Sequence, residues 1–236
     1  MIAGDPLRKV LYVDLGRKRF WVEDRPELFD QGLGGAGAAI GLLEQECPQR
    51  ADPLGADNPV VLAVGPLTGL FPLASKTVAM FKSPLTGNLG ESHCGGRSAV
   101  AIRMAGYGAI VLKGKSDIPV YVSIAGDEVS FRDASTLWGM SSTFTVGRVI
   151  RDRESGAGLR SIMRIGRAGE RLVRYASVTS ETYRHFGRLG LGAVFGAKNL
   201  KALVVSGKRS LPVADRRAYR ELYDEIYETA VSSDVM

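Results

Sequence analysis

Residues 93–115, HCGGRSAVAIRMAGYGAIVLKGK, recur in altered form at residues 185–208, HFGRLGLGAVFGAKNLKALVVSGK. Each passage opens on one of the only two histidines in the chain, then runs through glycine and arginine into a small-residue helical stretch. Each closes on an apolar strand ending Lys-Gly-Lys or Ser-Gly-Lys. What precedes each passage recurs as well. KVLYVDLGRKRFWVED and PVYVSIAGDEVSFRDAS both alternate apolar and polar residues around a glycine turn, the pattern of a half-buried β-hairpin. Helical stretches follow over 33–46 and 141–152, then apolar strands that stop at glycine turns, PVVLAVGPLTG and LRSIMRIGRAGE, then the short strands KTVAMFKS and RLVRYASV. One order of elements, met twice, marks an internal duplication.

Hairpins mixed with short helices predict an internally duplicated α+β fold of mixed or antiparallel sheets, not a regular βαβ series. The repeats span about residues 5–115 and 118–208. Two copies of one unit meet through the same patch, so a pseudo-twofold axis is expected, with both Gly/Arg turns facing one central point. After them, DRRAYRELYDEIYETAV sets Tyr219, Leu222, Tyr223, Ile226, Tyr227 and Ala230 on one helical face. Residues 211–236 therefore read as a helix that begins a linker to further polypeptide.

Composition narrows the partners. A chain of 236 residues with 45% hydrophobic and 24% charged content can bury a full core. The net charge of +6 favours an anionic partner. Its basic residues are dispersed and few aromatics interleave with them, so nucleic acid is not the expected partner. No run of about 18 apolar residues is present to span a membrane, and the N-terminus lacks the layout of a secretion signal. A cytoplasmic protein without membrane association is the expectation. Cys47 and Cys94 are too few for a disulfide scaffold, and no cysteine or histidine spacing completes a zinc or iron–sulfur site.

Among the motifs, Gly32-Leu33-Gly34-Gly35-Ala36-Gly37 fits the dinucleotide fingerprint by letter, but polar RPELFDQ precedes it where a buried strand is required. A tight turn with close backbone packing is the preferred reading. Two Pro-Leu-Thr-Gly sequences read as rigid bends, and Lys76 and Lys82 between them share one face of a predicted strand. The two glycine/histidine turns are the sharpest feature. Glycines ahead of a helix let backbone N–H groups approach an anion, and Arg97, Arg184 and Arg188 lie within a turn of them. No nucleophile elbow or paired-carboxylate motif is present. Glu91 and Glu170 read as surface or hydrogen-bonding residues.

At these residues the sequence resembles the tungsten-containing aldehyde ferredoxin oxidoreductases, in their N-terminal domain. The shared segments are GGAGAA at 34, GPLTG at 65, KSPLTG at 82, GG at 95, AGYGAIVLKGK at 105, DAS..WG at 133, IGRAGE at 165 and GRLGLGAVFGAKNLKA at 187. They keep the family's order over about residues 5–215.

The resemblance implies a tungstopterin-binding domain over residues 1–210, whose two related sheets form a floor beneath a bis-pterin cofactor holding tungsten or molybdenum. It implies that Lys76, Gly95, Gly96, Arg184, Gly187 and Arg188 contact the pterins or their phosphates. It further implies that the backbone carbonyls of His93 and His185 bind a magnesium ion bridging those phosphates. No catalytic residue is assigned within the chain. Position 76 is usually arginine in the family, and histidine is unusual at 93 and 185. The implied reaction oxidises an aldehyde to a carboxylate and passes electrons through a [4Fe–4S] cluster to a ferredoxin-type acceptor. Its cluster cysteines and catalytic groups are expected on further domains or a partner subunit, so this chain alone is expected to be inactive. A homodimer is compatible with this plan. The competing expectation is a non-enzymatic remnant or assembly module that keeps the fold without the metal cofactor.

Overall fold

The computed structural model describes residues 6–154 and 158–233. Its first half begins with β1 (Lys9–Asp14), turns back into β2 (Arg19–Asp24), and passes through α1 (Pro26–Gly32) and α2 (Gly35–Glu46). It continues through β3 (Val60–Val64), β4 (Thr77–Lys82), β5 (Leu89–Cys94), α3 (Arg97–Ala105) and β6 (Ala109–Lys113). The second half runs through β7 (Val120–Ala125), β8 (Glu128–Asp133), α4 (Thr143–Arg153), β9 (Leu159–Arg164) and the single turn α5 (Arg167–Glu170). Then come β10 (Val178–Ser180), β11 (Arg184–Phe186), α6 (Leu191–Ala197), β12 (Leu200–Gly207) and a final helix, α7 (Arg216–Ser232).

One sheet has the order β2-β1-β6-β3-β4-β5 and the other β8-β7-β12-β9-β10-β11. Every place in the second is filled by the strand six later in the chain. Orientation repeats as well: β1 with β6 and β7 with β12 are parallel, and all other neighbours are antiparallel. The duplicated α+β architecture is thus written into the hydrogen-bond ladders.

Strand β3, VVLAV, is buried along its whole length, which its uninterrupted apolar run requires of a strand covered on both faces. A large apolar cluster joins β1, β3, β6 and α2 to α3, α6 and one face of the second sheet. A smaller one on that sheet's other face sets Tyr121, Ile162, Ala202 and Val204 against Val146 and Ile150 of α4. The halves interlock, because α3 of the first half packs on β9 and β12 of the second. A Cβ at Gly207 would lie 2.0 Å from the Met104 backbone, so glycine alone permits that approach. The Tyr107 hydroxyl also donates to the Gly126 carbonyl at 2.9 Å.

The Gly32–Gly37 segment is the junction of α1 and α2, where a Cβ on Gly37 would come within 2.3 Å of the Gly32 carbonyl oxygen. Close helix packing accounts for it. Two local expectations need correction. RLVRYASV is not a strand before Val178; Arg171, Leu172, Val173 and Ala176 satisfy their N–H groups on carbonyls three to five residues back, forming turns. And His93 and His185 stand on strands, β5 and β11, not in the turns that follow. The apolar stripe of α7 has no buried residue, and its first turn is anchored by Tyr219, whose hydroxyl donates to the Leu70 carbonyl and whose ring lies 5.4 Å from that of Phe71.

Candidate functional site

Strands β5 and β11 close the corresponding ends of the two sheets and lie side by side. Two contacts set their alignment. The Arg188 N–H donates to the Ser92 hydroxyl at 3.1 Å, and a Cβ on Gly96 would stand 3.2 Å from the Arg184 side-chain stem. Ser92 near Arg188 and Gly96 near Arg184 describe an antiparallel approach, bracketing His93 and Gly95 on one side and His185 and Gly187 on the other. The β4–β5 ladder ends on Thr77 opposite Cys94, so Lys76 falls one step beyond, beside Gly95. All the sequence-predicted site residues thus converge on one seam between the halves.

The seam is polar and braced from below. The Ser83 hydroxyl, at the head of the second Pro-Leu-Thr-Gly turn, donates to the Leu189 carbonyl at 2.8 Å and accepts the Leu85 N–H at 3.1 Å. The first such turn is held by the buried Arg103 guanidinium, which donates to the carbonyls of Pro66 and Thr68, each at 3.4 Å. Buried Thr77 and Ser98 share a hydrogen bond of 2.8 Å. Cys94 is buried beside Ser180, and burial pushes its thiol up to about 11, more than the Ser180 hydrogen bond and the Arg184 charge lower it. It stays a neutral thiol, inert as a nucleophile.

On the solvent side the surface is open and cationic. Lys76, Arg97, Arg184 and Arg188 are exposed, and none of them is in an ion pair among the described residues. At Gly95 and Gly187 no atom lies within 4 Å of the point a Cβ would occupy, and neither residue has a left-handed φ. Neither conformation nor packing demands glycine at either place. A groove of about 700 Å³ is lined by Gly95, Gly96, Arg97, Arg184, Tyr183 and Arg151. Arg151 and Glu181, paired at 2.5 Å, bring α4 and the β10–β11 turn to this groove, a contribution that no spacing in the sequence signals. The His93 imidazole is held by Glu91 at 2.6 Å, and that of His185 lies 3.2 Å from the Thr179 hydroxyl. Among the described residues no group of three or more His, Cys, Asp or Glu side chains is placed to hold a metal.

The family pattern described as "Aldehyde ferredoxin oxidoreductase, N-terminal domain" matches residues 10–207. The chain belongs to this family. A tungsten-containing aldehyde ferredoxin oxidoreductase of Pyrococcus furiosus is 40% identical over 194 residues, 82% of this chain and 32% of that protein. An aliphatic sulfonate oxidoreductase, WOR-like subunit, of the same organism is 33% identical over 95% of this chain and 38% of its own length. Among solved structures, the active site complex BamBC of benzoyl coenzyme A reductase, in complex with 1,5-dienoyl-CoA, superposes with a TM-score of 0.88 at 32% identity, covering 94% of this chain and 34% of that one. The chain spans about a third of the length of these relatives. No helix among the described residues is long and apolar enough to cross a membrane.

Several of the motifs shared with the aldehyde ferredoxin oxidoreductases lie away from the seam and build the fold. DAS..WG, IGRAGE and NLKA converge on one buried ion pair between Lys201 and Glu170, whose side chains are 0% and 4% exposed. Glu170 also accepts the Gly139 N–H at 3.0 Å, and the Lys201 ammonium sits 5.9 Å from the centre of the Trp138 ring. Glu170 is hydrogen-bonding, as expected, but its side chain is buried instead of at the surface. Lys198 of the same segment is fully buried and donates to the carbonyls of Ala56 at 3.1 Å and Gly114 at 2.9 Å, tying the second half to the first.

Proposed function

We propose that this chain forms the floor under a pterin cofactor carrying tungsten or molybdenum, within an oxidoreductase that converts aldehydes to carboxylates and delivers electrons to a ferredoxin-type acceptor. The observation that supports it most is the convergence of two duplicated Gly/Arg segments on one open seam, where Lys76, Arg97, Arg184 and Arg188 are in no ion pair among the described residues. Fit can be judged from the residues themselves. A Cβ at Gly95 or Gly187 would project into open space, as expected where a bound group lies against the backbone. Lys76, Arg184 and Arg188 supply positive charge for phosphate oxygens, the arginines with planar forks suited to bidentate contact. Arg97 opens α3, whose first N–H groups have no side-chain cap.

The bound metal–pterin centre supplies the two-electron redox chemistry. This chain's part is to bind and to orient. Lys76, Arg184 and Arg188 fix the anionic ends of the cofactor, while Gly95, Gly96 and Gly187 admit it to the backbone. A magnesium ion accompanying the cofactor would be held by the main-chain carbonyls at His93 and His185 and would offset its phosphate charge. Glu91 and Thr179 keep the two imidazoles engaged along the strand edge. The catalytic and cluster-binding groups are assigned to other domains or a partner subunit.

Metal and pterin analysis tests this reading. Chain purified after co-expression with the rest of its oxidoreductase is expected to carry stoichiometric tungsten or molybdenum together with pterin, and an Arg184→Glu/Arg188→Glu variant to lose both while still folding. Full retention by that variant, or a metal-free wild-type complex, would overturn the proposal. Aldehyde oxidation by the purified chain alone would overturn its role as floor only.

A further inference from the structure

The hairpin that carries Arg184 is short. Strands β10 and β11 share three residue pairs, Val178–Phe186, Thr179–His185 and Ser180–Arg184, and β10 meets β9 through two, Thr179–Arg164 and Ser180–Met163. The corresponding hairpin of the first half, β4–β5, has six pairs. So short a ladder at the rim of a sheet frays easily, and the turn from Glu181 to Tyr183 needs a fastening of its own.

Glu181 supplies it. Its N–H donates to the Ile162 carbonyl at 3.2 Å and its carboxylate accepts the Ile162 N–H at 2.7 Å, extending the attachment to β9 one step past the last ladder pair. The other carboxylate oxygen accepts from Arg151 of α4 at 2.5 Å. Glu181 also has a φ of +54°, a strained conformation for a long side chain and one that glycine or asparagine takes more readily. Its carboxylate, not its backbone, accounts for glutamate here. Beneath it lies Arg164, 3% exposed: burial lowers its guanidinium, the Glu181 charge raises it and the Arg151 charge lowers it, so the carboxylate serves two cations. Among the described residues that line the groove Glu181 is the one carboxylate, and with both oxygens engaged and the side chain 17% exposed it does not stand free to repel an anion.

Arg184 follows Glu181 by three residues. Its stem lies against Gly96, where an added Cβ would meet it at 3.2 Å, so this arginine reaches from the second half to the Gly95–Gly96 turn of the first. We infer that Glu181 is a positioning residue: held by Arg151 and by the Ile162 peptide, it fixes the β10–β11 turn and with it the direction in which Arg184 meets the anionic end of the cofactor, a role that rests on the pterin reading of the seam. A guanidinium that grips phosphate through two parallel bonds tolerates a displacement of only about 0.5 Å, so the fastening acts on binding as well as on folding.

Cofactor release from the co-expressed oxidoreductase tests this role. Metal and pterin retained during dialysis give the release rate, and hydrogen exchange is followed in peptides covering residues 178–188. Glu181→Gln keeps an acceptor for Ile162 and loses the ion pair; Arg151→Met removes the partner, whose side chain is 42% exposed. Each should raise the release rate by about tenfold and speed exchange in the hairpin. Arg151→Met should move the thermal midpoint by no more than about 3 °C, and it serves if Glu181→Gln fails to fold. Arg151→Lys, which can still pair with Glu181, should recover most of the loss. In an Arg184→Lys background, where no planar fork remains to be aimed, either change should add no more than about twofold. Wild-type release rates in both variants, while the wild-type protein is loaded, would overturn the role of Glu181 and leave the pterin reading standing. So would full effects in the Arg184→Lys background, or faster release without faster exchange in the hairpin. A wild-type complex devoid of metal and pterin is a different failure: it overturns the pterin reading, and the role of Glu181 falls with it.

Discussion

The two halves share a strand order and differ in how they are closed. The first buries β1, β3, β6 and α2 in one apolar cluster, and its ion pairs, such as Lys113–Glu46 with side chains 35% and 19% exposed, lie toward the surface. The second takes more charge inside: the first half buries Arg103 on the carbonyls of one turn, while the second buries Lys201 with Glu170, Lys198 on two carbonyls, and Arg164 on the Thr143 carbonyl at 2.5 Å. The glycines that open α3 and α6 differ in the same sense. Gly190 is wedged so that a Cβ would lie 2.0 Å from the Arg174 carbonyl oxygen, whereas at Gly96 the nearest obstacle is the flexible stem of Arg184 at 3.2 Å. Duplication copied the ladders, which depend on backbone pairing, but not the interior contacts, which depend on each side chain.

The largest effect that would break this contrast is at Gly190. Gly190→Ala combines a φ of +86° with a backbone collision that no rotamer can relieve, and should cost about 4 kcal/mol or more in chemical denaturation. Gly96→Ala is also strained, at a φ of +95°, but its neighbour can move, so a loss of about 1–2 kcal/mol is expected. Equal losses would mean that the two helix starts are packed alike. Next in size is the buried pair. Lys201→Met leaves the Glu170 carboxylate buried without its counter-charge and should cost about 3–5 kcal/mol. Lys113→Met, at the partly exposed pair of the first half, should cost no more than about 1 kcal/mol, because water screens that pair.

The duplication and the order of its strands were legible because apolar periodicity and glycine punctuation survive in both copies. Strands β5 and β11 were not, since LGESHC and RHF lack the alternation and branched residues that mark a strand, and owe their conformation to pairing with β4 and β10. RLVRYASV misled in the opposite way: its composition suits a strand, yet local turn hydrogen bonds claim most of it. Of the candidate site, the residues near the two histidines could be read directly. The groove wall from Arg151 and Glu181 could not, because α4 reaches it only through tertiary packing. Nothing in the sequence marks Lys198 and Lys201 as buried, because their partners are 31 to 142 residues distant.

A further effect, carried by the buried lysine of the second half, is expected from pH. Burial is the main cause that lowers Lys198 from 10.5 to about 8, outweighing the pull of Asp57, Cys47 and Asp14 in the other direction. Below pH 8 the ammonium is protonated in both folded and unfolded chains. Between about pH 8 and 10.5 the unfolded chain holds a proton that the folded chain has released, so this group adds stability as pH rises. At 1.36 kcal/mol per unit the rise is at most about 3 kcal/mol. Unfolding free energies of wild type and Lys198→Met, measured from pH 7 to 10, should show the difference moving toward wild type by up to that amount. A constant difference would remove Lys198 as the titrating group.

The smallest expected effect on stability is also the one that reunites the halves. Gly95→Ala and Gly187→Ala add a methyl group where no protein atom lies within 4 Å and where φ is ordinary, so each should change the unfolding free energy by less than about 0.5 kcal/mol. If the two positions are glycine because a ligand presses on the backbone, both substitutions should instead lower the content of metal and pterin in the co-expressed protein, and by similar factors. This sets them apart from Gly190→Ala, where lost cofactor would follow lost structure. Unequal losses would show that the bound group leans on one half only. Loss of stability without loss of cofactor would mean that some packing of the fold, not a ligand, requires glycine at these two places.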